Sequence, residues 1–210
     1  MTYSSIKRII DIVLSLFGII ILFPLFVVIV IAIKVDSKGH IFFKQDRIGI
    51  NQSQFKIIKF RTMRIDTPRD TPTHLLENPD IYITRIGKFL RKTSLDELPQ
   101  IWNIFVGQMS IIGPRPALWN QYDLIQEREK YNANDVKPGL TGWAQVNGRD
   151  ELPISEKAKL DGEYIRNFNF RMDCKCFMLT MVRVLKSDGV VEGGTGKKED
   201  IQIERRLKAK

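Results

Sequence analysis

The stretch IVLSLFGIIILFPLFVVIVIAI, residues 12–33, decides the fold class because it contains 22 consecutive residues without a charged side chain. At about 1.5 Å of rise per residue, a straight helix of this length would reach about 33 Å, enough to cross a bilayer core of about 30 Å. A helix that is apolar on every face has little else to pack against in a chain of 210 residues. The stretch predicts a membrane-embedded helix rather than the core helix of a soluble protein.

Basic residues flank this stretch on both sides. Lys7 and Arg8 precede it, and Lys34, Lys38 and Lys44 follow it. Positively charged flanks favour the cytoplasmic side of a membrane, so both ends are drawn to the same side. Pro24 lies in the middle of the run, where it removes a backbone donor and clashes with the preceding turn. These features favour a re-entrant anchor, in which a helix, a break and a second helix enter and leave on one side. A kinked single span is the alternative.

The balance of charge predicts an anionic partner. Lysine and arginine number 33 against 24 aspartate and glutamate, which gives a formal net charge of +9. Such a charge suits nucleic acid, a phosphorylated small molecule or an acidic membrane leaflet. A nucleic-acid binder would carry exposed aromatic residues among its basic ones and would need no anchor. The chain has two cysteines without zinc-site spacing and two histidines, so chemistry based on carboxylates is favoured over a histidine base.

The remainder of the sequence predicts a mainly α fold with a short β-hairpin. Two apolar strands, at 40–44 and 54–60, are joined by a turn-rich segment. The segment IYITRIGKFLRK has apolar residues at helical spacing with basic residues between them, which is typical of an interfacial amphipathic helix. Two further helices are expected at 155–167 and 171–186. We therefore predict a re-entrant anchor at 1–38, a small cytoplasmic catalytic domain with interfacial helices at 39–193, and a charged flexible tail at 194–210.

Two adjacent carboxylates, Asp96 and Glu97, lie in TSLDELPQ, residues 93–100. One interpretation is a capping box, with Ser94 as the N-cap and Glu97 reaching back to it. Pro99 argues against a regular helix that starts at Ser94, because proline disfavours the α region for the residue before it, Leu98. The alternative is that the pair performs catalysis at a break between a basic helix and an apolar one.

Several blocks of sequence together resemble the bacterial sugar transferase family, the monotopic phosphoglycosyl transferases. The resemblance covers residues 6–193 in family order. The blocks are KRIIDIVLSL, FFKQDRIG, KFRTM, ITRIGKFLRKTSLDELPQIWNIFVGQMSIIGPRP, KPGLTGWAQVNGR and LDGEYIRNFNFRMD. One departure is Phe23 before Pro24, where small members of the family carry serine. This leaves the proline break intact but removes a hydroxyl that would satisfy freed backbone groups.

The resemblance implies transfer of sugar-1-phosphate from a UDP-sugar to undecaprenyl phosphate, with release of UMP, to begin a glycan or capsule. It implies that Asp96 and Glu97 are catalytic and that Mg²⁺ is required. A carboxylate can attack a phosphoryl group to form an acyl phosphate, so we expect Asp96 to be the nucleophile. We expect Glu97, with Asp96, to hold Mg²⁺, and Arg91 to act in catalysis. The resemblance favours an N-acetylated amino sugar over a hexose.

The donor site is expected to draw on residues from several loops and strands. Arg115 lies between two prolines and resembles the family's uridine-binding turn, and Arg149 is placed to clamp a phosphate with two hydrogen bonds. Lys59 and Arg61 are either active-site charges or a structural ion pair, and the role of Asp161 is open in the same way. The predicted substrate-binding residues are Pro114, Arg115, Pro116, Arg149, Lys59, Arg61 and Asp161.

The expected setting is the cytoplasmic face of the inner membrane. The predicted partners are the UDP-sugar donor, the undecaprenyl phosphate acceptor and membrane phospholipid, with no nucleic acid. The oligomeric state is left open, with a dimer as one option. The competing hypothesis is a non-catalytic, basic, membrane-bound scaffold of a polysaccharide assembly system. The presence of Asp96, Glu97, Arg91 and Arg115 together argues against it.

Overall fold

The computed structural model describes residues 2–67, 81–148 and 152–186. Within these ranges the protein is mainly helical, as predicted. The order of its helices and strands is α1 Tyr3–Asp36, β1 Phe42–Ile48, β2 Gln54–Phe60, α2 Arg85–Lys92, α3 Gln100–Val106, β3 Ser110–Ile112, α4 Tyr122–Glu129, β4 Gly139–Thr141, α5 Trp143–Asn147, α6 Ile154–Arg166 and α7 Phe170–Lys186. The predicted tail at 194–210 lies outside the described residues.

Helix α1 contains the uncharged stretch and extends it at both ends to 34 residues, about 51 Å at the usual rise. The helix continues through Pro24 without interruption. It is the one helix of the described residues that is long and apolar enough to cross a membrane. Most of its apolar side chains face outward, and Ile21 and Val35 are among the most exposed. These features are compatible with membrane association, while the re-entrant topology stays a prediction.

Both ends of α1 are bound to the rest of the protein. Near its N-terminus, Lys7 forms a buried ion pair with Asp173 of α7, and the Asp11 carboxylate accepts a hydrogen bond from the Ile111 amide. At its C-terminus, the Asp36 carboxylate accepts a hydrogen bond from the Ile86 amide of α2. The rest of the protein thus packs against α1 near both of its ends.

The β-hairpin forms as predicted, with a shift in its first strand. β1 pairs antiparallel with β2 from Phe42 opposite Phe60 to Ile48 opposite Gln54, so it begins two residues later than predicted and ends at Ile48. The connection contains Asn51 and Gln52 with positive φ angles, which close the turn. Phe60 is 1% exposed and packs with Ile29 and Ile33 of α1 and Leu90 of α2. This cluster joins the hairpin to the anchor.

The expected interfacial helix is α2, which begins after the N-cap Thr84, whose side chain accepts a hydrogen bond from the Gly87 amide. Leu90 is buried in the cluster with α1, whereas Phe89 on the same helix is 56% exposed. Gly87 packs so closely on the backbone of Thr62 that a Cβ atom would overlap the Thr62 carbonyl. Glycine is needed here because it lets α2 approach the end of the hairpin.

A second, smaller sheet was not predicted. β3 and β4 are three residues each and pair in parallel, with Ser110 opposite Gly139 and Ile112 opposite Thr141. The Gly113 amide donates to the Thr141 carbonyl and the Gly139 amide donates to the Pro114 carbonyl, which continues the contact past the strands. The pair fixes the loop that carries Arg115. The two last helices, α6 and α7, each begin one residue before the predicted position.

Candidate active site

Asp96 and Glu97 lie in a 3₁₀ turn, Leu95–Glu97, between α2 and α3. The break in the helix occurs at Ser94, which has a left-handed backbone with φ of 56°. The expectation that Pro99 would push Leu98 out of the α region is wrong, since Leu98 has φ of −52° and ψ of −37°. Leu98 packs against the cluster of α1 and α2, and proline is tolerated in a first helical turn because no intrahelical partner for its amide is required.

The capping box does not form. Ser94 makes no side-chain capping hydrogen bond. The Glu97 carboxylate turns instead to two cations: its Oε1 accepts hydrogen bonds from Lys59 Nζ at 2.7 Å and from Arg115 Nη2 at 2.8 Å. Charge-assisted hydrogen bonds of this kind are roughly twice as strong as neutral ones. The turn therefore presents its carboxylates to a basic site.

Asp96 lies next to the same cations. Its Oδ2 is 3.9 Å from Lys59 Nζ, an ion-pair contact too long for a hydrogen bond. Burial raises the pKa of Asp96, the ammonium of Lys59 opposes that rise, and the negative charge of Glu97 adds to it. Arg91 and Arg115 also act on this carboxyl group and lower its pKa. The other four charged groups of the site are thus close enough to influence Asp96.

Glu97 differs from its neighbour in its charge state. Burial acts to raise the pKa of Glu97, but Arg115 and then Lys59 outweigh it, so the pKa is held well below the usual range for a glutamate. Two adjacent carboxylates with pKa values pushed apart are suited to two different roles. Glu97 is therefore the carboxylate that stays ionised, and Asp96 is the more basic of the two.

Each cation comes from a different element. Lys59 lies on β2, Arg91 on the last turn of α2, and Arg115 in the loop after β3. Arg91 Nε donates to the hydroxyl of Thr62 at 2.9 Å, which fixes its side chain beside the dyad. Three cations and two carboxylates leave a local excess of positive charge, which favours an anionic ligand.

Arg61 does not join this site. Its guanidinium group donates to the carbonyls of Ser37 and Lys38 and to the Ser37 hydroxyl, at the C-terminal end of α1. A cation at this position complements the unpaired carbonyls and the dipole of the helix. Lys59 thus lies at the dyad, where it forms an ion pair with Glu97, whereas Arg61 binds carbonyl groups at the end of α1.

The remaining predicted residues lie on or behind the Arg115 loop. Pro114 and Pro116 are buried on either side of Arg115, which is half-buried. Asp161 is 0% exposed and forms an ion pair with Arg128 Nη2 at 2.6 Å, so it connects to the dyad only through other residues. Burial raises the pKa of Asp161 and Arg128 opposes that rise. Arg149 lies outside the described residues.

Magnesium was predicted at the dyad, and the described residues contain no cluster of three or more His, Cys, Asp or Glu side chains that would hold a metal by themselves. Mg²⁺ is commonly bound by one or two carboxylates with water and substrate phosphates completing its six ligands. Asp96 and Glu97 fit that kind of site. They do not fit a metal that needs a full set of protein ligands.

Comparison with known proteins gives the family. The model of the family described as bacterial sugar transferase matches residues 2–187, a range that includes all of the described residues. The chain belongs to the bacterial sugar transferase family. The prediction of a sugar-phosphate transferase is confirmed at this level.

Relatives in this family differ in length. The uncharacterized sugar transferase EpsL of Bacillus subtilis (strain 168) is 38% identical over 88% of this chain and 90% of its own. The exopolysaccharide production protein ExoY of Sinorhizobium fredii (strain NBRC 101917 / NGR234) is 34% identical over 87% of each chain. The UDP-glucose:undecaprenyl-phosphate glucose-1-phosphate transferase of Xanthomonas campestris pv. campestris is 40% identical over 85% of this chain and 38% of its own. The match thus spans about two fifths of that longer relative.

The sequence did not single out Arg128 or Arg47. Both contact the Arg115 loop: Arg128 donates to the carbonyl of Arg115, and Arg47 donates to that of Pro116. Arg128 lies in the charged run QEREK, where nothing in the spacing separates a buried arginine from an exposed one. Only the packing of α4 against α6 reveals it.

Proposed function

We propose that this protein transfers sugar-1-phosphate from a UDP-sugar to undecaprenyl phosphate, releasing UMP and forming an undecaprenyl-diphosphate sugar that begins a polysaccharide or glycoconjugate. The observation that carries the proposal is the dyad itself, with Glu97 held by Lys59 and Arg115 and with Asp96 beside the same cations. Relatives named for UDP-glucose:undecaprenyl-phosphate glucose-1-phosphate transfer, from Xanthomonas campestris and Escherichia coli (strain K12), support it.

The proposed reaction has two steps. An Asp96 carboxylate oxygen attacks the phosphorus that bears the sugar, the bond to the bridging oxygen breaks, and UMP leaves with the electron pair. A phosphate oxygen of the acceptor then attacks the same phosphorus and releases the Asp96 carboxylate. Lys59, Arg91 and Arg115 offset the repulsion between anions, and charge that develops on the leaving phosphate is stabilised by cations already in place. Bound Mg²⁺, held by Glu97 and Asp96, would further neutralise phosphate charge.

An apolar groove next to the dyad suits a lipid-linked acceptor. It has a volume of about 360 Å³ and is formed by α1, the hairpin and the start of α3, with Pro99 at its wall two residues after Glu97. Phe23, Phe26, Phe42 and Trp102 contribute aromatic rings, and Lys44 is its charged residue. We infer that the part of the polyprenyl chain nearest the phosphate lies here, and that the outer face of α1 lies in lipid.

The contacts of α1 support a monotopic arrangement on the cytoplasmic face. Lys7 near one end binds Asp173, and Asp36 at the other end binds the Ile86 amide, so both ends contact the same catalytic body. A straight span would instead place its two ends on opposite sides of a bilayer core of about 30 Å. The basic flanks favour the cytoplasmic side for both ends.

Intact-protein mass spectrometry tests the covalent step. The enzyme is mixed with Mg²⁺ and each member of a panel of UDP-sugars, without acceptor. The panel includes UDP-glucose, which the relatives' names suggest, and UDP-N-acetylated amino sugars, which the resemblance favours. We expect a mass increase of one sugar-phosphate together with UMP release for the true donor. The Asp96→Asn variant should show neither and should lose turnover on the order of 1,000-fold or more.

The exposed Asp46→Asn variant, changed on the hairpin away from the dyad, is the matched control and should be labelled normally. Unchanged mass, with UMP released only when the polyprenyl phosphate is also present, would refute the covalent intermediate and leave direct transfer. Failure of every UDP-sugar to release UMP under any condition would favour the non-catalytic scaffold.

A further inference from the structure

The loop that carries Arg115 has four consecutive carbonyl groups engaged by distant parts of the chain. A free loop would leave such groups to water. The hydrogen bonds are Gly139 N to Pro114 O at 2.8 Å, Arg128 Nη1 to Arg115 O at 2.9 Å, Arg47 Nη1 to Pro116 O at 3.0 Å and Ile48 N to Ala117 O at 3.0 Å. The backbone that presents the Arg115 side chain is therefore held from β4, α4 and β1.

Arg128 differs from the other donors because it is charged and buried. It is 3% exposed, and its Nε donates to Asp161 Oδ2 at 2.8 Å while Nη2 lies 2.6 Å from the same oxygen. The guanidinium thus uses one edge for Asp161 and directs its remaining nitrogen at the Arg115 carbonyl. A planar fork can do both at once, whereas a lysine ammonium on a flexible stem cannot hold that geometry.

A buried ion pair of this kind is weak evidence for stability. Removing two charges from water costs free energy that their attraction often fails to recover, and an apolar pair of similar volume frequently stabilises a fold equally well. Asp161 also has Oδ1 buried without a hydrogen-bond partner among the described residues. The pair between α4 and α6 therefore needs an explanation beyond packing. Among the described residues, its one side-chain hydrogen bond to a residue outside those helices is to the Arg115 carbonyl.

We propose that Arg128, oriented by Asp161, is a positioning residue that sets the direction of the Arg115 side chain toward Glu97 and the donor diphosphate. This inference rests on the proposed function and gives Asp161 a role at a distance from substrate. Arg115 Nη2 lies 2.8 Å from Glu97 Oε1, so a displacement of the loop moves the cation away from both the carboxylate and the phosphate. Misplacement of a catalytic group by about 1 Å can cost 100-fold in rate.

The test is a double variant that keeps the fold and removes the contact. Arg128→Met with Asp161→Leu replaces the ion pair by apolar side chains, so no buried charge is left unpaired, but the hydrogen bond to the Arg115 carbonyl is lost. We expect kcat/KM for the UDP-sugar in the covalent half-reaction to fall about 10- to 100-fold, with an unfolding temperature near that of the wild type. Lys130→Met, which removes an exposed cation at the end of α4, is the matched control and should change neither.

A double-mutant cycle with Arg115→Ala separates positioning from general damage. If Arg128 acts through Arg115, the Arg128→Met/Asp161→Leu change should have little further effect once Arg115 is alanine. The proposal is overturned if the loss in kcat/KM of the triple variant equals the product of the losses caused by Arg115→Ala and by Arg128→Met/Asp161→Leu. It is also overturned if Arg128→Met/Asp161→Leu alone leaves kcat/KM at the wild-type value.

Hydrogen exchange gives a readout that needs no substrate. The Gly139 and Ile48 amides donate to the carbonyls on either side of Arg115 and Pro116, so their exchange should accelerate in the double variant. The Ile58 amide, bound to Asn103 on the other side of the hairpin, should exchange as before. If the protein releases no UMP but exchange accelerates in the double variant, the proposed function is refuted and the positioning of the loop by Arg128 stands. If exchange at Gly139 and Ile48 is unchanged, the positioning itself is refuted.

Discussion

Replacing Lys59 by methionine isolates the effect of one charge on the proposed nucleophile. Lys59 Nζ lies 3.9 Å from Asp96 Oδ2 and 2.7 Å from Glu97 Oε1, with both Lys59 and Asp96 side chains less than one fifth exposed. Methionine keeps the length of the aliphatic stem and removes the charge. Glu97 retains Arg115, the stronger of the two cations that lower its pKa, so its negative charge stays beside Asp96 in the variant.

The magnitude follows from the distance between the two charges. At 3.9 Å and an effective dielectric constant of 20, the attraction is about 4 kcal/mol, and low exposure means that solvent screens little of it. Asp96 attacks only as the carboxylate, so activity is present above its pKa and is lost as pH falls through it. Lys59 lowers the pKa of Asp96, and its removal should move the acid limb of the pH profile to higher pH.

The Glu97→Gln variant gives the opposite sign. Because the negative charge of Glu97 raises the pKa of Asp96, its removal should move the same limb to lower pH.

At neutral pH we expect Lys59→Met to slow the covalent half-reaction by about 100-fold, as for loss of one preorganised charge at a reacting centre.

The assay is the rate of UMP release in a single turnover without acceptor, measured at a series of pH values. Lys56→Met is the matched control: Lys56 lies on the same strand, but its ion pair with Asp46 is exposed, and its loss should leave the profile unchanged. The reasoning is refuted if the acid limb moves in the same direction for Lys59→Met and Glu97→Gln, or moves for neither.

Two further predictions concern the membrane and the acceptor. In a variant with both native cysteines replaced by serine, Tyr3→Cys and Lys38→Cys should label with an impermeant reagent from the same side of sealed vesicles; labelling from opposite sides would establish a span. Ile101→Trp fills the apolar groove beside Pro99, so it should raise KM for polyprenyl phosphate about tenfold while UDP-sugar labelling without acceptor stays normal. Equal effects on both half-reactions would place the polyprenyl chain elsewhere.

Local patterns in the sequence predicted the long elements well. The uncharged run at 12–33 gave α1, and the periodic segments gave α6 and α7 within one residue of their starts. Such patterns work because the apolar face of a helix is encoded in adjacent turns. The break before the dyad was also predicted, although it occurs at Ser94 with a left-handed backbone rather than at the residue before Pro99.

Contacts between distant segments were beyond such patterns. β3 and β4 have three residues each and lie 29 positions apart at Ser110 and Gly139, too short for any periodic signal. The same limit applies to Lys59 and Arg61, because nothing in the sequence distinguishes their roles. In the fold, Arg61 binds the end of α1 and lies apart from the dyad. The role of Arg128 could not be predicted for the same reason, because its partner Asp161 lies 33 residues further along the chain.

The energetics of the dyad argue for catalysis over a scaffold. Burial and the charge of Glu97 raise the pKa of Asp96, so ionising this carboxyl group costs more free energy in the folded protein than in the unfolded chain. Because the pKa of this carboxyl group is higher in the folded state than in the unfolded state, its protonation stabilises the fold at pH values below the unfolded-state pKa. That stability is lost as pH rises through the folded-state pKa. An inert scaffold would be more stable with asparagine at position 96, because asparagine does not ionise. A nucleophile needs the basic carboxylate oxygen of aspartate in spite of its cost in stability. Stability given up at a site with converging cations is typical of an enzyme.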